Sequence, residues 1–144
     1  METAIMGRTV VHAKVENITD FLNVQTGQLS PDQVRSVAVD DALVDTGSKL
    51  LGLPKGLIQQ LGLTHFETRR ALTTAGIIDS NIYAAVWLTI EGRQCTVDVV
   101  EVADDCPVLI GYVPLELLDL VVDPAGQRLI PNPKDGGQRL LDLF

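Results

Sequence analysis

The segment Val39-Asp40-Asp41-Ala42-Leu43-Val44-Asp45-Thr46-Gly47-Ser48 places an acid, a hydroxyl residue and a glycine directly after a short apolar run. That order sets the Asp45 carboxylate on a tight turn at a strand end. Gly47 lacks a Cβ, so its backbone can approach and offer an amide hydrogen, and the hydroxyls of Thr46 and Ser48 can add hydrogen bonds. A carboxylate oriented in this way suits acid–base work on water. The sequence Asp45-Thr46-Gly47-Ser48 has no second copy in the 144 residues. Chemistry that needs two such carboxylates therefore needs two chains.

The remaining reactive side chains point to nothing comparable. Cys95 and Cys106 are far in sequence from His12 and His65, and no Cys-x-x-Cys or His-x-x-x-His spacing lies near them. A zinc site is not expected. The thiols read as reduced, half-buried residues of a strand and a loop, and no signal pairs them as a disulfide. Asp40, Asp41, Asp98, Asp104 and Asp105 do not follow a calcium-loop spacing and read as solvated charge. Neither histidine accompanies a Ser or Cys motif that would make a nucleophilic triad. Asp135-Gly136-Gly137 lacks both a preceding apolar strand and a hydroxyl residue, so it is no second catalytic turn. Trp87, within Ala84-Ala85-Val86-Trp87-Leu88, reads as core. No metal or cofactor is expected.

The elements that must position Asp45 are mostly strands. Alternating or β-branched runs over 9–15 and 35–44 predict two antiparallel strands. Leu50 to Gly62 predicts one or two helical turns, with Pro54 opening and Gly62 closing them. Residues 68–74 and 77–89 form two β-prone arms around Ala75-Gly76, and Glu91-Gly92 turns the chain into a further strand over 95–102. The continuous apolar run Val108-Leu109-Ile110-Gly111 predicts a strand buried on both faces, with a helix starting at Pro114. A last hairpin is expected from 120–122 and 127–130 around Asp123-Pro124-Ala125-Gly126. Beyond it, Leu140-Leu141-Asp142-Leu143-Phe144 is apolar enough either to dock on its own domain or to add a strand to a partner.

A chain of 144 residues with no linker or low-complexity tract fits one domain, 1–144, long enough to bury a core without disulfides. The hydrophobic fraction is 46% and the mean hydropathy +0.21, which argues against disorder. No apolar run reaches the roughly 20 residues that span a bilayer. A net charge of −8 and a pI near 4.5 disfavour nucleic-acid binding. Met1 to Arg8 lacks the basic stretch and apolar core of a secretory signal. A soluble, cytoplasmic protein without membrane or nucleic-acid partners is expected.

Taken as an ordered set, these pieces resemble a retropepsin-like aspartic protease, the single-domain class of retroviral proteases and their bacterial relatives. The set comprises the Asp45-Thr46-Gly47-Ser48 turn, the following Leu53-Pro54 and Leu61-Gly62-Leu63, a Gly-containing hairpin near Gly76, and Leu109-Ile110-Gly111 before a helix. It covers roughly Gly7 to Pro133. The family usually has Arg or Asp after the late glycine, whereas this chain has Tyr112.

The resemblance implies an all-β fold, a closed or partly open barrel with a flap hairpin and one or two short helices, assembled as a homodimer. It makes Asp45 the catalytic carboxylate, paired with Asp45 of a second identical subunit across a two-fold axis. Two carboxylates about 3 Å apart cannot both ionise cheaply, so they share a proton and act as one coupled base and acid on water. Thr46 would bond across the axis, and Ser48 would lie beside the outer carboxylate oxygen. Ile110 and Gly111 would support the site from below. Thr73-Thr74-Ala75-Gly76-Ile77 would be the flap that closes over an extended peptide, although such a hairpin is also an ordinary surface feature. The implied activity is that of an aspartic endopeptidase acting on peptide or protein substrates. The alternative is a non-catalytic homodimerising or peptide-binding module of the same fold.

Overall fold

Alternation of apolar and polar side chains produces the first strand, β1 (Val10–Asn17), which buries Val11, Ala13 and Val15 and exposes Val10, His12 and Lys14. In the computed structural model, residues 8–141 and 143 are described. Residues 1–7, which hold most of the segment read for a secretory signal, lie outside the described residues, as do Asp142 and Phe144 of the apolar tail. After β1 come α1 (Ile18–Gln25), β2 (Ser36–Val44), β3 (Leu51–Pro54), α2 (Lys55–Leu61), β4 (His65–Thr73) and β5 (Gly76–Ile90). The chain continues through β6 (Arg93–Val102), β7 (Leu109–Ile110), α3 (Tyr112–Leu118), β8 (Leu120–Asp123) and β9 (Arg128–Pro131).

The chain is built mainly of β-structure, as its sequence predicts. Strands pair in the order β1-β2-β7-β3-β6-β5, and β5 pairs back onto β1, closing a ring of six strands with β4 attached outside it. Closure leaves the ring without a free edge. Its interior is filled by alternate residues of each strand, among them Val15, Leu51, Val86, Leu88, Val99 and Ile110, all at most 1% exposed. Leu61 of α2 and Leu118 of α3 complete the same core. β8 and β9 form a separate hairpin.

Several elements differ from expectation for identifiable reasons. Three α-helices are present among the described residues rather than one or two, because α1 occupies a stretch between the first two strands for which the sequence predicts no element. Its signal is Asn17, whose side-chain oxygen accepts the Asp20 amide at 3.0 Å as a cap. Leu51–Pro54 is a strand and not a lead into the helix, since it pairs with β6 on one side and β7 on the other. Only Leu109 and Ile110 of the 108–111 run are in the ladder, with Leu109 half-buried. Helix α3 begins at Tyr112, and Pro114 sits inside its first turn, where no amide bond is lost. Trp87 is not in the barrel core: it points opposite to Val86 and Leu88, half-buried, and stacks on Phe21 of α1 with ring centroids 4.6 Å apart.

A polar knot fastens α1 to the barrel. The Asp20 carboxylate accepts Arg35 Nε at 2.8 Å, Arg35 Nη2 at 3.0 Å and the Arg35 backbone amide at 3.0 Å. Asn17 Nδ2 donates to the Leu61 carbonyl at 2.8 Å. Gly62 is in the left-handed region at φ 65°, and a Cβ there would also meet the Arg35 guanidinium. The Arg35 side-chain bonds hold the Asp20 carboxyl below its ordinary value, outweighing its burial. A depressed carboxyl stabilises the fold above the unfolded value near pH 4, and that contribution is lost as pH falls through the lower folded value. Asp20→Asn should cost about 1–2 kcal/mol at neutral pH, the low end for a charge-assisted pair because Arg35 is half exposed. Denaturant melts of both proteins should converge below that acid range; a gap that persists there would remove the assignment.

Candidate active site

Strand β2 carries Asp45 to its place. Leu43 N donates to the Val108 carbonyl at 2.8 Å, Val44 N to Thr9 at 2.9 Å and Asp45 N to Ile110 at 2.9 Å, so the strand is held on both sides up to the carboxylate. There the chain turns: Ser48 N donates to the Asp45 carbonyl at 3.0 Å, and Gly47 N donates to Asp45 Oδ1 at 3.1 Å. The carboxylate is thereby oriented by the backbone of its own turn. A Cβ at Gly47 would lie 3.4 Å from Asp45 Oδ1, a contact rather than a collision. Asp45 and Ser48 are half-buried, whereas Thr46 and Gly47 are exposed. Among the described residues, the hydroxyls of Thr46 and Ser48 make no hydrogen bond.

The exit of the turn is gripped by the start of α3. Gly111 N donates to the Leu50 carbonyl at 3.0 Å, Tyr112 N to Ser48 at 2.9 Å and Val113 N to Lys49 at 3.0 Å. These amides have no partner within the helix, so the turn uses donors the helix leaves spare. Gly111 has ordinary backbone angles, φ −81° and ψ −177°. The glycine is required by space: a Cβ would meet the Leu50 carbonyl oxygen and lie 2.6 Å from the Lys49 carbonyl carbon. β7 itself runs between β2 and β3, parallel to one and antiparallel to the other. Asp45 to Ser48 and Ile110 to Gly111 are thus brought together, although some sixty residues separate them in the sequence.

The hairpin tip is not brought to that turn within one chain. Its turn is Thr74-Ala75, Gly76 takes φ 110°, and Thr73 Oγ1 donates to the Gly76 carbonyl at 2.7 Å while accepting Ala75 N at 3.1 Å. These bonds stay inside the hairpin. Residues 73–77 are exposed, with Ile77 at 59% and the neighbouring Leu72 at 85%. Large apolar side chains at that exposure form an apolar patch on the hairpin surface.

Among the described residues, the other acids and thiols do not gather into a second site. Asp40 pairs with His12 at 2.7 Å on the outer surface, and Asp41, Asp104 and Asp105 are exposed. Among the described residues, no three His, Cys, Asp or Glu side chains gather as a metal site. Burial pushes the Cys106 thiol up, and the charges of Asp105 and Asp45 push it further. The charge of Asp45 thus reaches the Cys106 thiol, a coupling with no signal in the sequence. Burial likewise takes Cys95 up to about 11 against the pull of Arg139. Neither thiol is poised as a thiolate nucleophile near neutral pH. The tail docks as far as Arg139, whose guanidinium donates to the Gln94 and Leu117 carbonyls at 2.6 and 2.9 Å, while Leu140, Leu141 and Leu143 are exposed.

Among the described residues, no helix is long and apolar enough to cross a membrane. In comparisons with known proteins, the sequence matches no family model and no curated protein.

Proposed function

We propose that the chain is a retropepsin-like aspartic endopeptidase that works as a homodimer, with the two Asp45 carboxylates facing each other across a two-fold axis. The observation that carries this reading is the Asp45 turn. A half-buried carboxylate is oriented by the Gly47 amide at 3.1 Å, braced from behind by Gly111 and left open on its outer side. A second copy placed on that open side supplies the partner acid that a single chain lacks.

In such a pair one carboxylate is ionised and the other holds the shared proton. The ionised member takes a proton from water as the water oxygen attacks the peptide carbonyl carbon, while the protonated member gives its proton to the carbonyl oxygen. The tetrahedral diol then collapses: the C–N bond breaks, the nitrogen leaves with a proton, and a carboxylic acid and an amine result. The free hydroxyls of Thr46 and Ser48 favour contacts across the axis and beside the carboxylate. The exposed Leu72, Ile77 and Ile78 of the β4–β5 arm favour apolar side chains around the scissile bond.

Cleavage of an apolar extended peptide should depend on the Asp45 carboxylate at every pH at which the protein is active. A hydroxyl-bearing transition-state mimic of the pepstatin type should inhibit the reaction and bind only when Asp45 is present. Binding of the peptide with no cleavage at any pH, and no Asp45-dependent binding of the mimic, would identify a peptide-binding module instead.

A further inference from the structure

The β4–β5 arm leaves the barrel along a line marked by two irregularities. From Ile82 to Ile90, β5 pairs with β6, and from Gly76 to Tyr83 it pairs with β4, so the two ladders overlap at Ile82 and Tyr83. At that boundary the β4–β5 register slips between His65 and Glu67, and the β5–β6 register slips between Tyr83 and Val86. Bulges bend a strand and raise its twist, so two of them at one level of three adjacent strands form a natural hinge line.

A chain of polar side chains lies across this line. Glu101 of β6 accepts the Tyr83 hydroxyl at 2.9 Å and Asn81 Nδ2 at a long 3.4 Å. Asn81 Oδ1 accepts the Thr68 hydroxyl at 3.0 Å, and Thr68 Oγ1 lies 3.0 Å from His65 Nε2. The His65 ring meets Tyr83 edge-on with centroids 5.6 Å apart. Thr68 and Asn81 are direct cross-strand partners, as are His65 and Tyr83. Tyr83 and Glu101 are both half-buried, so their bond is partly shielded from competing water. Burial and then Glu101 raise the Tyr83 phenol above its ordinary value, which keeps the hydroxyl a donor across the neutral range.

We infer that Glu101 is a positioning residue that clasps the root of the β4–β5 arm to the barrel and sets how far the arm opens over bound peptide. One carboxylate oxygen on β6 receives both β5 donors on the same face of the strand, Asn81 on the arm side of the hinge and Tyr83 at it. Losing this acceptor releases the arm without touching the Asp45 turn. The link to peptide binding rests on the endopeptidase reading, whereas the clasp itself does not.

Hydrogen exchange read by mass spectrometry on the full chain tests the clasp with no need for catalysis. Glu101→Ala should speed exchange of amides 68–81 about tenfold, the effect of losing one charge-assisted bond, with little change over 86–100. Glu101→Gln keeps an acceptor oxygen and should restore most of the protection. Tyr83→Phe removes one hydroxyl and should reproduce part of the effect, so it decides the matter if Glu101→Ala does not fold. In peptide cleavage, Glu101→Ala should raise KM several-fold more than it lowers kcat, with Glu101→Gln rescuing the rise. Unchanged arm exchange in Glu101→Ala, or in Tyr83→Phe if the first variant is unfolded, would overturn the clasp. If no variant or wild type cleaves any peptide, the exchange result still stands, and only the enzymatic reading is lost.

Discussion

Replacing Asp45 with Asn should abolish peptide cleavage, by about 10⁴-fold or more, while leaving the barrel and its self-association intact. The substitution is nearly isosteric. An Asn amide oxygen can still accept the Gly47 amide that now lies 3.1 Å from Asp45 Oδ1, so the turn keeps its shape. What is lost is the ability to hold, share and release a proton. Both thiols are pushed towards their protonated forms, and His12 is paired with Asp40 elsewhere on the surface. Steady-state cleavage of an apolar peptide in acid, beside sedimentation and denaturant melts, separates lost chemistry from lost structure. Retained activity in Asp45→Asn would remove Asp45 from the mechanism.

Gly111→Ala should be as damaging as a core deletion, costing about 2–4 kcal/mol and most of the activity, from strain and loss of the bonds that grip the turn. The new methyl would lie 2.7 Å from the Lys49 carbonyl oxygen and 2.6 Å from its carbon. Those are backbone atoms, held by the Tyr112 and Val113 amides at 2.9 and 3.0 Å on Ser48 and Lys49. The backbone cannot yield without opening the exit of the Asp45 turn. Gly47→Ala is the control, since its methyl would meet only Asp45 Oδ1 at 3.4 Å. Paired urea melts should place Gly111→Ala far below Gly47→Ala in stability. Similar midpoints would mean that the α3 start does not brace the turn.

The sequence makes the Asp45 turn legible because its parts are local: strand, acid, hydroxyl and glycine are consecutive. The arm and the α2 helix are legible for the same reason, through Gly76 at the turn and Pro54 and Gly62 at the helix ends. The hidden features depend on partners distant in the chain. Leu51-Gly52-Leu53-Pro54 reads as a helix approach until β6 and β7 pair with it, and Gly52 admits β7 because a Cβ there would crowd Leu109 at 3.2 Å. The outward direction of Trp87 is fixed by α1, whose Asn17 cap is a single weak signal. The charge coupling of Cys106 to Asp45 and the row from His65 to Glu101 join residues of ordinary type, which acquire meaning only when their strands align.

The central claim is that catalysis requires an Asp45 from each of two chains, and subunit mixing tests it directly. Wild type and Asp45→Asn are unfolded together in varying ratio, refolded to let dimers form at random, and assayed at constant total protein. If both carboxylates are required, activity follows the square of the wild-type fraction, about a quarter of full activity at equal mixing. A linear decline, with about half the activity at equal mixing, would show that each chain acts alone, and about three quarters would show that one Asp45 per dimer is enough; either result would contradict the paired site.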